Sequence, residues 1–141
     1  MPTVTAEVRF EKPTNRNKIQ SLKIHTHDKV VIPNNVSVIS SFAFYGAENL
    51  TEIVIPNSVK TIEYYAFESC TALTEIMLPA NVSSIGDLAF YRCLSLKSIS
   101  VDESNKTYSS ENGVLFNKAK TDLILYPSAL ENTEYAVPAS V

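Results

Sequence analysis

At 141 residues, 45% apolar and 19% charged, the chain has the composition of one soluble globular domain large enough for a continuous core. Its formal net charge of −3, with Lys and Arg scattered and no basic run, gives no reason to expect nucleic acid as a partner. No apolar stretch approaches the ~18 residues of a membrane-spanning helix, so membrane insertion is not expected.

The chain opens on MPTVTAEVRFEKPTN, which has no apolar h-region and does not read as a signal peptide. That leaves a cytoplasmic protein, or a chain that begins after a removed leader. Thr3 to Phe10 alternates like a strand through Val4, Ala6, Val8 and Phe10. Pro13 to Asn17 is expected as a turn and Ile19 to Ile24 as a second strand. Residues 1–29 are thus expected to form an N-terminal cap with a degenerate strand. His25 and His27 are the only histidines, and His-x-His would share one strand face with Asp28 nearby. No third ligand is evident and His27 falls in a core column, so no metal site is expected.

From residue 30 onward the chain repeats. Residues 30–53, 54–76 and 77–99 read VVIPNNVSVISSFAFYGAENLTEI, VIPNSVKTIEYYAFESCTALTEI and MLPANVSSIGDLAFYRCLSLKSI. The period is 23 residues, carried by Pro33, Pro56 and Pro79, by Val36, Val59 and Val82, and by Ile39, Ile62 and Ile85. Ala43-Phe44 returns as Ala66-Phe67 and Ala89-Phe90; Leu50 and Ile53 return as Leu73 and Ile76, then Leu96 and Ile99. A fixed period of this size marks stacked coils.

Each copy holds two extended pieces, too short to bury a face alone. One is Leu-x-x-Ile-x-Ile-Pro, as in Leu50 to Pro56, ended by a proline that lacks an N–H. The other is Val-x-x-Ile, as in Val59 to Ile62. Glu63 to Ser69, which carries Ala66-Phe67, is expected as a tight helical turn. Stacked at about 4.8 Å per coil, each apolar position covers its equivalent. These columns, with Ile32, Ile55, Leu78 and Val101, are the expected core, and Phe44, Phe67 and Phe90 its expected aromatic stack.

Cys70 and Cys93 occupy one column, where the first copy has Ala47. Neighbouring strands would bring their Cα atoms to about 5 Å, a distance a disulfide can span. A column that takes Ala and Cys alike is nonetheless a small buried site, and reduced, inert thiols are the favoured reading. No Cys-x-x-Cys suggests zinc, and no nucleophile–base pair or phosphate-binding glycine loop is present. No enzymatic activity and no cofactor are expected.

After Val101 the motif proline is replaced by Asp102 and the register is expected to break. Asn112-Gly113 marks a turn, and Val114 to Asn117 with Leu123 to Tyr126 are expected as a β-hairpin joined by Lys118 to Asp122. AVPASV, residues 136–141, restarts the motif, as a fragment of a longer array would. The organisation expected is one domain: a cap over 1–29, three coils over 30–101, then a variant hairpin repeat and the start of a further coil over 102–141. Asn-x-Ser/Thr triplets at Asn35, Asn49, Asn81 and Asn105 would matter only in a eukaryotic secretory setting.

The pattern Leu-x-x-Ile-x-Ile-Pro-x-x-Val-x-x-Ile followed by Ala-Phe-x-x-Cys resembles the BspA-like leucine-rich repeats. Asn105 to Pro127 resembles the hairpin-bearing variant repeat of that family. The resemblance implies a leucine-rich-repeat solenoid of the α/β horseshoe class, β-rich, with short stacked parallel strands, helical turns and a C-terminal β-hairpin. It also implies a protein-binding, adhesin-like module at the cell surface or secreted, whose partners are host or matrix proteins. A structural stalk or spacer in a longer surface protein is the alternative.

The outward strand positions are the usual contact face of such repeats. The candidate partner-binding residues are Val31, Thr51, Glu52, Val54, Thr74, Glu75, Met77 and Lys97, with Val31, Val54 and Met77 forming an exposed apolar stripe. Tyr45, Tyr64, Tyr65 and Tyr91 on the turn side are a second candidate surface, or simply shield the Phe column.

Overall fold

The computed structural model describes residues 8–12, 15–22, 29–131 and 134–141. An antiparallel pair, β1 (Val8–Lys12) and β2 (Asn15–Leu22), comes first. β2 begins inside the stretch expected as a turn. His25, His27 and Asp28 lie outside the described residues.

The coils follow from the proline of each copy. Pro33, Pro56 and Pro79 each accept a hydrogen bond from the valine three residues on, at 3.1, 3.1 and 3.4 Å. Each Pro-x-x-Val is therefore a β-turn that carries the chain between two sides of a coil. On the first side lie β3 (Lys29–Val31), β5 (Glu52–Val54), β7 (Glu75–Leu78) and β9 (Ser98–Val101). The second side holds the shorter β4 (Val38–Ile39), β6 (Thr61–Ile62) and β8 (Ser84–Ile85). Pairing is parallel and one period apart: Val31 opposes Val54, Met77 opposes Ser100, Ile39 opposes Ile62 and Ile62 opposes Ile85. β2 joins the second side, giving a five-stranded sheet in the order β1-β2-β4-β6-β8.

The repeated columns form the core. All the Val, Ala, Phe and Leu members are buried, as are Ile32, Ile55 and Leu78; Ile85 and Val101 are partly buried against the same cluster. Phe44 stacks on Phe67 at 4.8 Å and Phe67 on Phe90 at 5.3 Å, with rings within 10° of parallel. Cys70 and Cys93 are buried free thiols. Cys70 donates to the Phe44 carbonyl and Cys93 to the Phe67 carbonyl, at 3.1 and 3.2 Å. The Cys93 thiol beside it, together with burial, pushes the Cys70 thiol up from its ordinary range.

The segment between the two sides is not helical, and no helix occurs among the described residues. Residues four apart sit in the left-handed region: Phe42 and Gly46 in the first coil, Tyr65 and Ser69 in the second, Leu88 and Arg92 in the third, with φ between 57° and 67°. A left-handed residue every fourth position interrupts the run of α dihedrals that a helix needs. It also turns alternate amides across the stack. Phe44 and Gly46 donate to the Ala66 and Glu68 carbonyls at 2.8 and 2.9 Å, and Phe67 and Ser69 donate to Ala89 and Tyr91 at 2.8 Å. Each turn is thus a rung bonded to the next coil. The coils approach closely at Gly86, whose N–H meets the Ile62 carbonyl at 2.7 Å and where a Cβ would collide with the Tyr64 amide.

The backbone register survives Asp102, contrary to the expected break. Asp102 N–H donates to the Leu78 carbonyl, and Asn105 N–H to the Asp102 carbonyl, both at 2.9 Å, repeating the Pro-x-x-Val turn. Asn105 therefore stands in the valine column and Tyr108 in the isoleucine column. Asn105 is fully buried. Its Nδ2 donates to the Pro79 and Val82 carbonyls at 2.9 Å, and its Oδ1 accepts from the Thr107 and Tyr108 amides at 2.8 Å. So engaged, it is not a glycosylation acceptor in the folded chain. The Tyr108 hydroxyl accepts from the Ile85 amide at 3.0 Å, so a side chain finishes the sheet edge at β8. The chain then forms an antiparallel sheet of β10 (Tyr108–Glu111), β11 (Val114–Asn117) and β12 (Leu123–Leu125). Val141 N–H donates to the Pro138 carbonyl at 3.0 Å, so the Pro-x-x-Val turn recurs there.

Candidate interaction surfaces

In a strand, successive side chains face opposite ways, so burial of Ile53, Ile76 and Ile99 sends their neighbours outward. On this strand face Val31, Val54 and Met77 are 50%, 41% and 58% exposed. β5 lies beside β7, which joins the three into one apolar stripe. Thr51, Glu52, Glu75 and Lys97 are exposed as well, whereas Thr74 is half-buried and its carbonyl accepts from the Lys97 amide at 2.8 Å. Lys29 and Glu52 pair at 2.9 Å, and Lys97 reaches Glu131 at 3.7 Å. The stripe ends at Ser100, whose hydroxyl contacts the Met77 sulfur at 3.3 Å.

The turn face is richer than its tyrosines alone. Phe42, Tyr45, Tyr64, Leu88 and Tyr91 are 46% to 60% exposed, with Tyr65 half-buried among them. Phe42 lies flat on Tyr65 at 5.4 Å, and its edge contacts reach Tyr45 at 6.0 Å and Tyr64 at 6.1 Å. Phe42 and Leu88 escaped the sequence reading. Their signal was present, since residues 42, 65 and 88 form an apolar column just before each Ala-Phe. Those three are also left-handed, a conformation that bulky residues rarely adopt.

At the end of the turn ladder a groove of about 210 Å³ opens between residues 85–86 and 88–92 on one side and Leu115, Ile124, Leu125 and Ser128 on the other. It exists because the β10–β12 sheet replaces the fourth turn. Among the described residues, no three His, Cys, Asp or Glu side chains gather as a metal site, and no helix is long and apolar enough to cross a membrane.

Comparison with known proteins places this geometry. The model of the BspA-type leucine-rich repeat region matches residues 17–136 in six copies. The pneumococcal vaccine antigen PcpA is similar in structure, with a TM-score of 0.76 and 32% identity over 80% of this chain and 28% of its own. A leucine-rich cell surface protein of Faecalibacterium prausnitzii A2-165 has a TM-score of 0.72 and 35% identity, over 81% of this chain and 30% of its own. This chain thus spans under a third of either relative. A leucine-rich repeat protein of Eubacterium ventriosum, 23% identical, shares the fold. None of the curated proteins matches. The repeat period, the stacked parallel strands and the matched model agree: the chain belongs to the BspA-type leucine-rich repeat family.

Proposed function

We propose that this chain is a non-enzymatic protein-binding scaffold, an adhesin-type module at a cell surface that meets a host or matrix protein through its strand face. The observation that carries the reading is the Val31, Val54, Met77 stripe, three exposed apolar side chains one repeat apart in the sequence. A flat, rigid surface with apolar anchors and a polar rim suits protein recognition. Thr51, Glu52, Thr74, Glu75 and Lys97 supply that rim. The names of two relatives, a vaccine antigen and a cell surface protein, support placement at the surface.

Pull-down of extracellular-matrix proteins with the natural chain, and with a Val54→Lys, Met77→Lys double variant, tests this. Saturable capture lost in the variant supports the strand face. Capture that survives the variant moves binding to another surface. Absence of capture at tens of micromolar favours a stalk or spacer.

A further inference from the structure

The turn face has a charge as well as a shape. Its three segments, residues 40–48, 63–71 and 86–94, carry Glu48, Glu63, Glu68 and Asp87 against a single cation, Arg92. Glu63 is committed internally, accepting from the Ser41 amide and hydroxyl at 2.9 and 3.3 Å. Glu68 makes no ion pair among the described residues. It sits in one column with two exposed rings, because the turns stack in register: Gly46 donates to the Glu68 carbonyl and Ser69 to the Tyr91 carbonyl. The column therefore reads Tyr45, Glu68, Tyr91, with the two tyrosines two coils apart, about 10 Å at strand spacing. A carboxylate whose column neighbours are two tyrosines is complementary to a cation with a flat or apolar body, through ion pairing and cation–π attraction together. Bulky side chains held left-handed at Phe42, Tyr65 and Leu88 extend the same face with apolar area where glycine would be conformationally cheaper.

We propose that the turn face is a docking surface for a basic protein segment, with Tyr45, Glu68 and Tyr91 receiving an arginine or lysine side chain. The surface is separate from the strand face and does not depend on it. Binding is driven by charge on approach and fixed by the rings on contact.

The test is titration of a fluorescein-labelled peptide of alternating arginine and glycine with the whole chain, read by anisotropy, beside a glutamate–glycine control peptide. The arginine peptide binds saturably and more weakly as salt rises, and the glutamate peptide does not bind. Glu68→Gln and Tyr91→Ala each weaken binding about five-fold, while Tyr91→Phe keeps it within about two-fold because the ring remains. Glu103→Gln changes the net charge as Glu68→Gln does, away from this face, and leaves binding unchanged. Unchanged melting of each variant establishes that the fold is kept. Equal effects of Glu68→Gln and Glu103→Gln would reduce the attraction to net charge and overturn the proposal. Loss in a Val54→Ser, Met77→Ser variant would assign the peptide to the strand face and overturn it too.

Discussion

Replacing Asn105 by valine sets two lines of reasoning against each other. The column holds Val36, Val59 and Val82, so repeat consensus treats valine as a repair. The structure treats it as damage. Asn105 satisfies four backbone groups at 2.8–2.9 Å: the Pro79 and Val82 carbonyls, the Tyr108 amide and the half-buried Thr107 amide. At about 1 kcal/mol net each, their loss costs about 4 kcal/mol. Burying valine returns about 1–2 kcal/mol. The net loss is therefore about 2–3 kcal/mol, which lowers the melting temperature by about 10 °C in a chain of this size. Urea and thermal unfolding, followed by far-UV circular dichroism, measure it. A variant as stable as the natural chain, or more so, would refute the claim that Asn105 is the hydrogen-bonding plug of the fourth coil.

The remaining predictions rest on single contacts. Phe67→Ala removes the middle ring of the stack, fully buried with a ring on either side, and costs about 3–5 kcal/mol in urea unfolding; Phe90→Ala, stacked on one side only, costs less. Gly86→Ala forces a methyl into the Tyr64 backbone, and urea unfolding reads a loss of at least ~1–3 kcal/mol. Tyr108→Phe strands the Ile85 amide and costs about 1–2 kcal/mol, read by thermal melting. Burial raises the Tyr108 hydroxyl above its ordinary 10.0, so the folded chain holds that proton more tightly than the unfolded one. Its contribution is therefore complete below pH 10.0 and lost as pH rises past it, and the Phe variant shows a flatter alkaline decline in melting temperature. Cys70 and Cys93 react with a thiol reagent only as fast as the chain unfolds, because both are buried and hydrogen-bonded; prompt reaction of the native chain would contradict this.

The core was legible because an apolar residue that returns every 23 positions in three copies can only be stacked on itself. Val36, Ile39, Phe44, Leu50 and Ile53 fix the coil, and the second and third copies restate them. Two things were not legible. Asn105 and Tyr108 are polar residues in apolar columns, and periodicity of side-chain type sees a break there although the backbone continues through Asp102 with the same turn. The turn was misread because Glu63 to Ser69 contains nothing that forbids a helix. The left-handed residues at 65 and 69 are set by cross-coil hydrogen bonds, a property of the stack and not of the segment. Alternation about the buried Ile53 and Ile76 accounts for the outward Glu52, Val54, Glu75 and Met77; Thr51, Thr74 and Lys97 precede the strands, where alternation does not apply, and of these Thr74 is half-buried. Phe42 and Leu88 stand one period either side of Tyr65, and a column that reads Phe, Tyr, Leu has no constant residue type to mark it.

The measurement that bears most directly on the scaffold reading is a backbone amide chemical-shift map of the isotopically labelled chain, recorded with and without a captured matrix protein. A recognition module using the strand face shifts the amides of β3, β5 and β7 around Val31, Val54 and Met77 and leaves β10–β12 unmoved. Shifts confined to other surfaces, or none at saturating partner, would contradict it.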